Sequence, residues 1–196
     1  LLVFSSSELG GAERSLSRMA MATPSGMYQL ATLDGEGLWC DWVRSQGQQP
    51  MVFGKRIGAQ HGRLKFGALV SLICYVRREG IQTIYICGLR ASLCLRLLKS
   101  FMPGVHLVHG IRTNPASNSR LDQLFRFVER WLNAQVDLYI TNSKIAATTL
   151  VERCGISPDK VRVIYNGLVR KQTKLIPIAS RSLNVLTVAN LISSKG

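Results

Sequence analysis

Seven short runs of apolar, β-branched and aromatic residues recur along the chain, and a helical stretch separates each run from the next. The runs fall at 1–5, 27–33, 50–53, 82–87, 105–109, 137–141 and 161–165. The intervening segments 12–22, 38–45, 64–78, 91–101, 121–135 and 143–154 read as helices. In 121–135, for example, Leu121, Leu124, Phe125, Val128 and Leu132 recur at helical core spacing. Pro24, Gly80, Pro103-Gly104, Gly155 and Pro158 stop these segments. Strand–helix alternation of this kind buries both faces of a sheet only if the strands run parallel and the crossovers are right-handed. The expected fold class is therefore α/β: a mostly parallel sheet with helices on both faces.

Composition narrows the reading. Hydrophobic residues make up 46% of the 196-residue chain and charged residues 18%, which supports a packed core and excludes disorder as the main state. The best uncharged apolar run, 66–76, falls short of the roughly 20 residues of a spanning helix. Five cysteines, an odd number with no C-x-x-C pair, argue for a reducing compartment, buried thiols, and neither a disulfide framework nor a metal site. The chain opens directly on a strand, as a fragment would. Residues 1–168 are expected to form one domain. A basic segment containing Pro177, 169–182, is expected to link it to the first strand and turn of a second, truncated domain at 183–196.

The net charge is +14. Between Lys55 and Lys99 there are nine Lys or Arg and one acid, Glu79. Three readings stay open for this stretch: a solvated face, an anionic membrane surface met by Arg96 and Lys99, or nucleic acid. No nucleic-acid-binding motif is present, so nucleic acid is not an expected partner.

Ligands of open α/β sheets bind beyond the carboxyl ends of the strands, and the unusual residues cluster there. Gly10-Gly11 follows the first strand, where it suits either phosphate approach at a helix start or a turn with positive φ. His109 closes the fifth run, at a strand end where it suits proton transfer or a substrate hydroxyl as well as a structural role. His106 lies three positions away, so an extended strand turns the two rings to opposite faces and makes a shared metal unlikely. Arg112 and Asn114 in the next loop suit a phosphate or sugar, or plain solvation. Ser143 suits a ligand or a helix cap, and Asn166-Gly167 a ligand or a turn. Neither G-x-G-x-x-G nor G-x-x-x-x-G-K-[ST] occurs.

Four segments carry a resemblance. Ser7-Glu8-Leu9-Gly10-Gly11-Ala12-Glu13-Arg14 resembles the first-loop signature of family 4 glycosyltransferases of the GT-B fold. Asp137-Leu138-Tyr139-Ile140-Thr141-Asn142-Ser143 resembles a later strand of that family, and the stretch from Gly155-Ile156 to Asn166-Gly167 the segment that closes its first domain. Val188-Ala189-Asn190-Leu191 to Ser194-Lys195-Gly196 resembles the start of the second domain. The resemblance implies two Rossmann-like domains facing across a cleft, with this chain supplying the acceptor side, and transfer with retention from a nucleotide-sugar, without metal or other cofactor. It places His109 as the active-site histidine contacting the sugar, Gly10 and Gly11 near the donor phosphates, and Lys195 as a donor-phosphate lysine. Asn190 stands where the family often has Arg, which shifts weight to Lys195.

The sequence thus predicts part of a cytoplasmic glycosyltransferase, peripheral on the inner face of the plasma membrane. Its partners would be a nucleotide-sugar and a glycan or lipid-linked acceptor of surface polysaccharide or glycolipid synthesis. Two alternatives remain: a basic, non-catalytic module for anionic lipid or nucleic acid, and a nucleotide-sugar epimerase of the same architecture.

Overall fold

The computed structural model describes residues 1–24, 26–54, 66–112 and 120–167. Residues Leu1–Asn166 form one compact unit. Its strands are β1 (Leu2–Phe4), β2 (Leu30–Thr32), β3 (Met51–Val52), β4 (Thr83–Cys87), β5 (His106–Ile111), β6 (Leu138–Thr141) and β7 (Val161–Val163). The helices are α1 (Gly11–Met21), α2 (Leu38–Ser45), α3 (Phe66–Arg78), α4 (Leu89–Leu97), α5 (Arg120–Leu132) and α6 (Lys144–Cys154). All pairings are parallel, in the order β3-β2-β1-β4-β5-β6-β7. The architecture is the Rossmann-like α/β sheet that the alternation predicts.

Strand parity sorts the core into two layers. On one face, Val3, Ala31, Ile84, Ile86 and Leu107 meet Leu69, Leu72 and Val76 of α3 and Ala91 and Leu95 of α4. Farther along the same face, Ile111 and Tyr139 meet Leu150 and Cys154 of α6, with Phe125 of α5 against them. On the other face, Phe4, Leu30 and Cys87 meet Leu16 and Ala20 of α1 and Trp39, Cys40 and Val43 of α2. Trp39 packs its ring 5.0 Å from that of Phe4. Its indole N–H donates to Ser17 Oγ at 3.0 Å, so the buried ring leaves no polar atom unpaired. Of the thiols expected to be buried, Cys40, Cys87 and Cys154 lie in these seams, while Cys94 is half-buried and Cys74 is exposed.

Local chemistry sets the element ends. Ser143 caps α6, its Oγ accepting from the Ala146 amide at 3.2 Å. Gly155 ends α6 in the left-handed region at φ 68°, and buried Ile156 follows, its amide donating to Leu150 O. The strand expected to stop at His109 runs on to Ile111. Gly110 permits this: a Cβ there would come 2.6 Å from ring carbons of Tyr85 on the neighbouring strand. Gly110 is thus the space into which Tyr85 packs. Among the described residues, no helix is long and apolar enough to cross a membrane.

Gly110→Ala is expected to destabilise the domain by about 1–3 kcal/mol, the range for overpacking a tight contact. Urea unfolding should show a lower midpoint with unchanged slope.

Candidate functional site

The strand order reverses between β1 and β4, and ligands of open α/β sheets bind beyond the carboxyl ends of the strands at such a switch point. Two helices start there. Gly10 precedes α1 and Gly88 precedes α4, and neither helix start has a side-chain cap. Their first amides are therefore left for solvent or a ligand. Gly88 adopts φ 107°, and a Cβ there would come 2.2 Å from Ser5 Oγ in the loop after β1. Only glycine combines that backbone angle with that approach.

Gly10 and Gly11 work differently from the turn expected of them. Neither has a positive φ. Gly10 is extended, and a Cβ on it would meet the Glu13 carboxylate at 2.5 Å, whereas a Cβ on Gly11 would meet nothing within 4 Å. Gly10 thus accommodates the carboxylate folded back over the α1 start, where an acid is favoured by the helix dipole, and Gly11 leaves the backbone open to approach.

The loop after β1 is held from below. Ser7 and Asp34 are both buried and pair at 3.4 Å, and the Trp39 amide donates to Ser7 O at 2.9 Å. Gly37 leaves room for this contact, since a Cβ there would come 2.5 Å from Ser7 Oγ.

Arg112 lies one residue beyond β5. Its Nη1 donates to Asn166 Oδ1 at 2.5 Å, tying the ends of β5 and β7 across β6. Burial pushes the Tyr85 hydroxyl and the Cys87 thiol each up to about 12, and the nearby Arg112 charge opposes both shifts. The Glu13 charge raises Cys87 further. Arg112 Nε and Tyr85 Oη are buried without a hydrogen-bond partner among the described residues. The Tyr85 hydroxyl and the Arg112 guanidinium lie against each other, and the same lack of a partner recurs at Arg96 Nε and Nη1 in the core. Two surface hollows, lined by Gln48 and Met51 and by Val76 and Pro103, open at the amino edge.

His109 stands apart from this edge. It shares a face with Leu107 and Ile111 and is 1% exposed beneath α4 and α5. Arg96 Nη2 donates to His109 Nδ1 at 2.5 Å and to Glu129 Oε1 at 2.8 Å. Tyr139 Oη donates to Glu129 Oε2 at 2.7 Å, and Ser92 Oγ lies 3.3 Å from His109 Nδ1. His109 Nδ1 also lies 3.2 Å from Glu129 Oε1, so it accepts from Arg96 in one tautomer and donates to Glu129 in the other. Burial lowers the His109 pKa; the Glu129 carboxylate raises it and the Arg96 charge lowers it again. Burial alone would raise Glu129, but hydrogen bonds and charge from His109 and Arg96 outweigh it and bring the carboxyl to about 2. His106, by contrast, is exposed and lies 3.8 Å from Asp137, on the opposite face as parity requires.

The expected residues are therefore not brought into one constellation. Gly10, Gly11, Arg112 and Asn166 lie along the carboxyl edge. Ser143 Oγ is engaged as a cap, and the His109 side chain meets protein groups where a sugar contact was expected. Asn114, Asn190 and Lys195 lie outside the described residues. The membrane reading of 91–101 is corrected outright. Arg96 is fully buried against Glu129, and Lys99 pairs with Asp137 at 2.7 Å while also donating to Gln135 O. Lys55, Arg56, Arg63 and Lys65 are outside the described residues. Gly88, Ser7, Asp34 and Glu129 were missed. Only Gly88 carried a signal, a glycine directly after a strand as at Gly10.

A family model, Glycosyltransferase Family 4, matches residues 9–171. Among solved structures, Alr3699/HepE of Anabaena in complex with UDP superposes with a TM-score of 0.67 at 21% identity, over 85% of this chain and 43% of its own. A glycosyltransferase from Rickettsia africae gives 0.59 at 11% identity, over 85% and 42%. The UDP-GlcNAc 2-epimerase of Methanocaldococcus jannaschii gives 0.54 at 12% identity, over 84% and 44%. The chain thus spans less than half the length of each of these structures, and the likeness is one of fold. No curated protein sequence matches the chain.

Glu129→Ala should leave Arg96 buried and uncompensated, at a cost of about 3–5 kcal/mol in urea unfolding. The pH dependence has a definite sign. Both His109 and Glu129 have folded pKa values below their unfolded ones, so the unfolded chain binds more protons and stability rises with pH. The His109 contribution is complete above its ordinary value of 6.5 and is lost as pH falls below it. That of Glu129 is complete above 4.5 and is lost as pH falls toward about 2. Unfolding midpoints measured across this span should fall in two stages on acidification, and His109→Gln should remove the first.

Proposed function

We propose, from the fact that the chain belongs to glycosyltransferase family 4, that it is the acceptor-side half of a retaining, GT-B glycosyltransferase. In this reading the whole enzyme moves a sugar from a nucleotide-sugar to a glycan or lipid-linked acceptor of surface polysaccharide or glycolipid synthesis, on the cytoplasmic side of the membrane. Residues 1–168 form the acceptor side, 169–182 the linker, and 183–196 the first strand and turn of the donor side. The observation that carries the reading is the family match over 9–171, which spans the loops at the switch point and the Arg112–Asn166 pair.

The chemistry suits those groups. Sugar transfer develops positive charge at the anomeric carbon and negative charge on the leaving diphosphate. The Arg112 guanidinium, held by Asn166, and the uncapped amides of α4 are oriented groups that stabilise such an anion without reorganising. Open backbone at Gly11 admits the donor or acceptor closely. Glu13 over Gly10 keeps a carboxylate at the α1 start, so a diphosphate bound there must displace that flexible side chain. The leaving phosphate takes the acceptor proton, so no protein base is required on this side. The family resemblance makes Lys195 the candidate for donor phosphate, with Asn114, Ser143 and Asn190 as further substrate-binding candidates. His109 acts through Arg96 and Glu129 as a positioning residue, holding β5 and thereby Arg112. UDP-glucose, found in the Anabaena structure of this fold, is the first donor to try.

In the complete enzyme, Arg112→Ala should lower kcat/KM by on the order of 10²-fold, the scale of removing one oriented charge-stabilising group. Unchanged kinetics would remove Arg112 from the site. Residues 1–196 alone should give no turnover, because the donor-holding half is absent; transfer by this chain alone would overturn the division of labour. Product analysis separates the remaining alternative, since an epimerase would return an isomerised nucleotide-sugar with no dependence on acceptor.

A further inference from the structure

Helix α5 is apolar on two sides. Its inner side buries Val128 and Glu129 and packs Phe125 into the core. Its outer side exposes Leu124 by 51%, Phe127 by 61% and Trp131 by 70%. At 100° per residue these three fall within an arc of about 60°, and the Phe127 and Trp131 rings lie 6.1 Å apart. Three large apolar side chains stacked along one outward stripe form a patch, unlike the single exposed leucine that any surface tolerates.

The charges around the stripe say what covers it. Arg120 shares the arc, and Arg126 and Arg130 follow on one flank. Glu129 is turned inward and neutralised by Arg96, so it does not offset them. The whole chain carries +14. A second copy of the chain docked here would set Arg120 and Arg130 against their own images and one strongly cationic body against another. Leu, Phe and Trp on one stripe with arginines beside it is instead the pattern of a helix lying in a lipid headgroup region, where the rings enter the acyl boundary and the guanidinium groups meet phosphate.

We propose that the outer stripe of α5, through Leu124, Phe127 and Trp131 with Arg120 and Arg130, docks the protein on an anionic lipid surface. This surface replaces the basic face expected around Arg96 and Lys99, and it stands whether or not the transferase reading holds.

Sedimentation with vesicles tests it, comparing equal parts phosphatidylglycerol and phosphatidylcholine with phosphatidylcholine alone. The protein should partition onto the anionic vesicles, less so as salt is raised, with a blue shift of Trp emission that Trp131→Phe abolishes. Phe127→Ser with Trp131→Ser should lower the partition constant at least about 100-fold, from the lost apolar burial. Arg130→Glu should lower it roughly 30-fold, since it changes two units of charge near the surface. Both side-chain sets are exposed, so unfolding midpoints should stay at the parent value; if the double variant misfolds, Arg130→Glu alone decides. Equal binding to neutral vesicles, or parent-like partition of the folded variants, would overturn the proposal. So would absence of vesicle binding together with self-association that the same substitutions abolish.

Discussion

Arg96 and Glu129 are removed from water together, and that removal costs several kcal/mol per ion unless each charge is met. Both Glu129 oxygens are met, whereas Arg96 is met through Nη2, its Nε and Nη1 being buried without a hydrogen-bond partner among the described residues. Glu129 receives Arg96 on one oxygen and Tyr139 on the other, Arg96 also reaches His109, and its guanidinium carbon lies 5.8 Å from the centre of the Tyr139 ring. Four elements, α4, α5, β5 and β6, thus share one polar knot within an otherwise apolar layer. None can slide by a residue without stranding a charge, which is a stricter condition than the leucine contacts around it impose. The knot fixes the strands whose ends carry Arg112 and Thr141, and so the edge on which the candidate site rests.

That edge is built as much from missing side chains as from present ones. Gly88 lets the α4 start approach Ser5, Gly37 admits Ser7, and Gly54 lies where a Cβ would come 2.4 Å from Leu33 O. Each brings a loop after one strand against a loop or helix start after another. The result is a rim of backbone carrying the starts of α1, α2 and α4, none of which has a side-chain cap. Arg112 adds a cation to that rim, held by Asn166 on one side and lying against the Tyr85 hydroxyl on the other.

The sheet was legible because its signal is periodic: apolar runs and helical stretches alternate over more than 150 residues, and each misplaced boundary is local. The Leu38–Ser45 helix and the Ser143 cap emerge where expected, since apolar spacing and capping act within a few residues. The knot was not legible for the opposite reason. Arg96 and Glu129 lie 33 positions apart, and a helix carrying Arg96 among leucines reads as a basic face until its inward partner is known. His109 failed in the same way. As a histidine thought to end a strand it resembled a ligand contact. Two further strand residues, permitted by Gly110 and Tyr85, move it inside and turn it under α4. Parity, the one long-range rule available from sequence, correctly separated it from His106.

Helix α5 joins these two levels. Glu129 on its inner side is pinned in the knot, while Phe127 and Trp131 two positions to either side point outward. A rotation of the helix that buried the aromatic stripe would pull Glu129 from Arg96 and expose a charge pair that has no water to replace it. The apolar stripe is therefore held outward by the buried ions, and its exposure is a consequence of the core and not a slack surface. A lipid surface gains from this arrangement, because it meets a preset row of rings at little ordering cost. The same pinning fixes the row relative to β5 and to Arg112 at its end. A domain seated through α5 then presents its carboxyl edge at a constant attitude to the lipid.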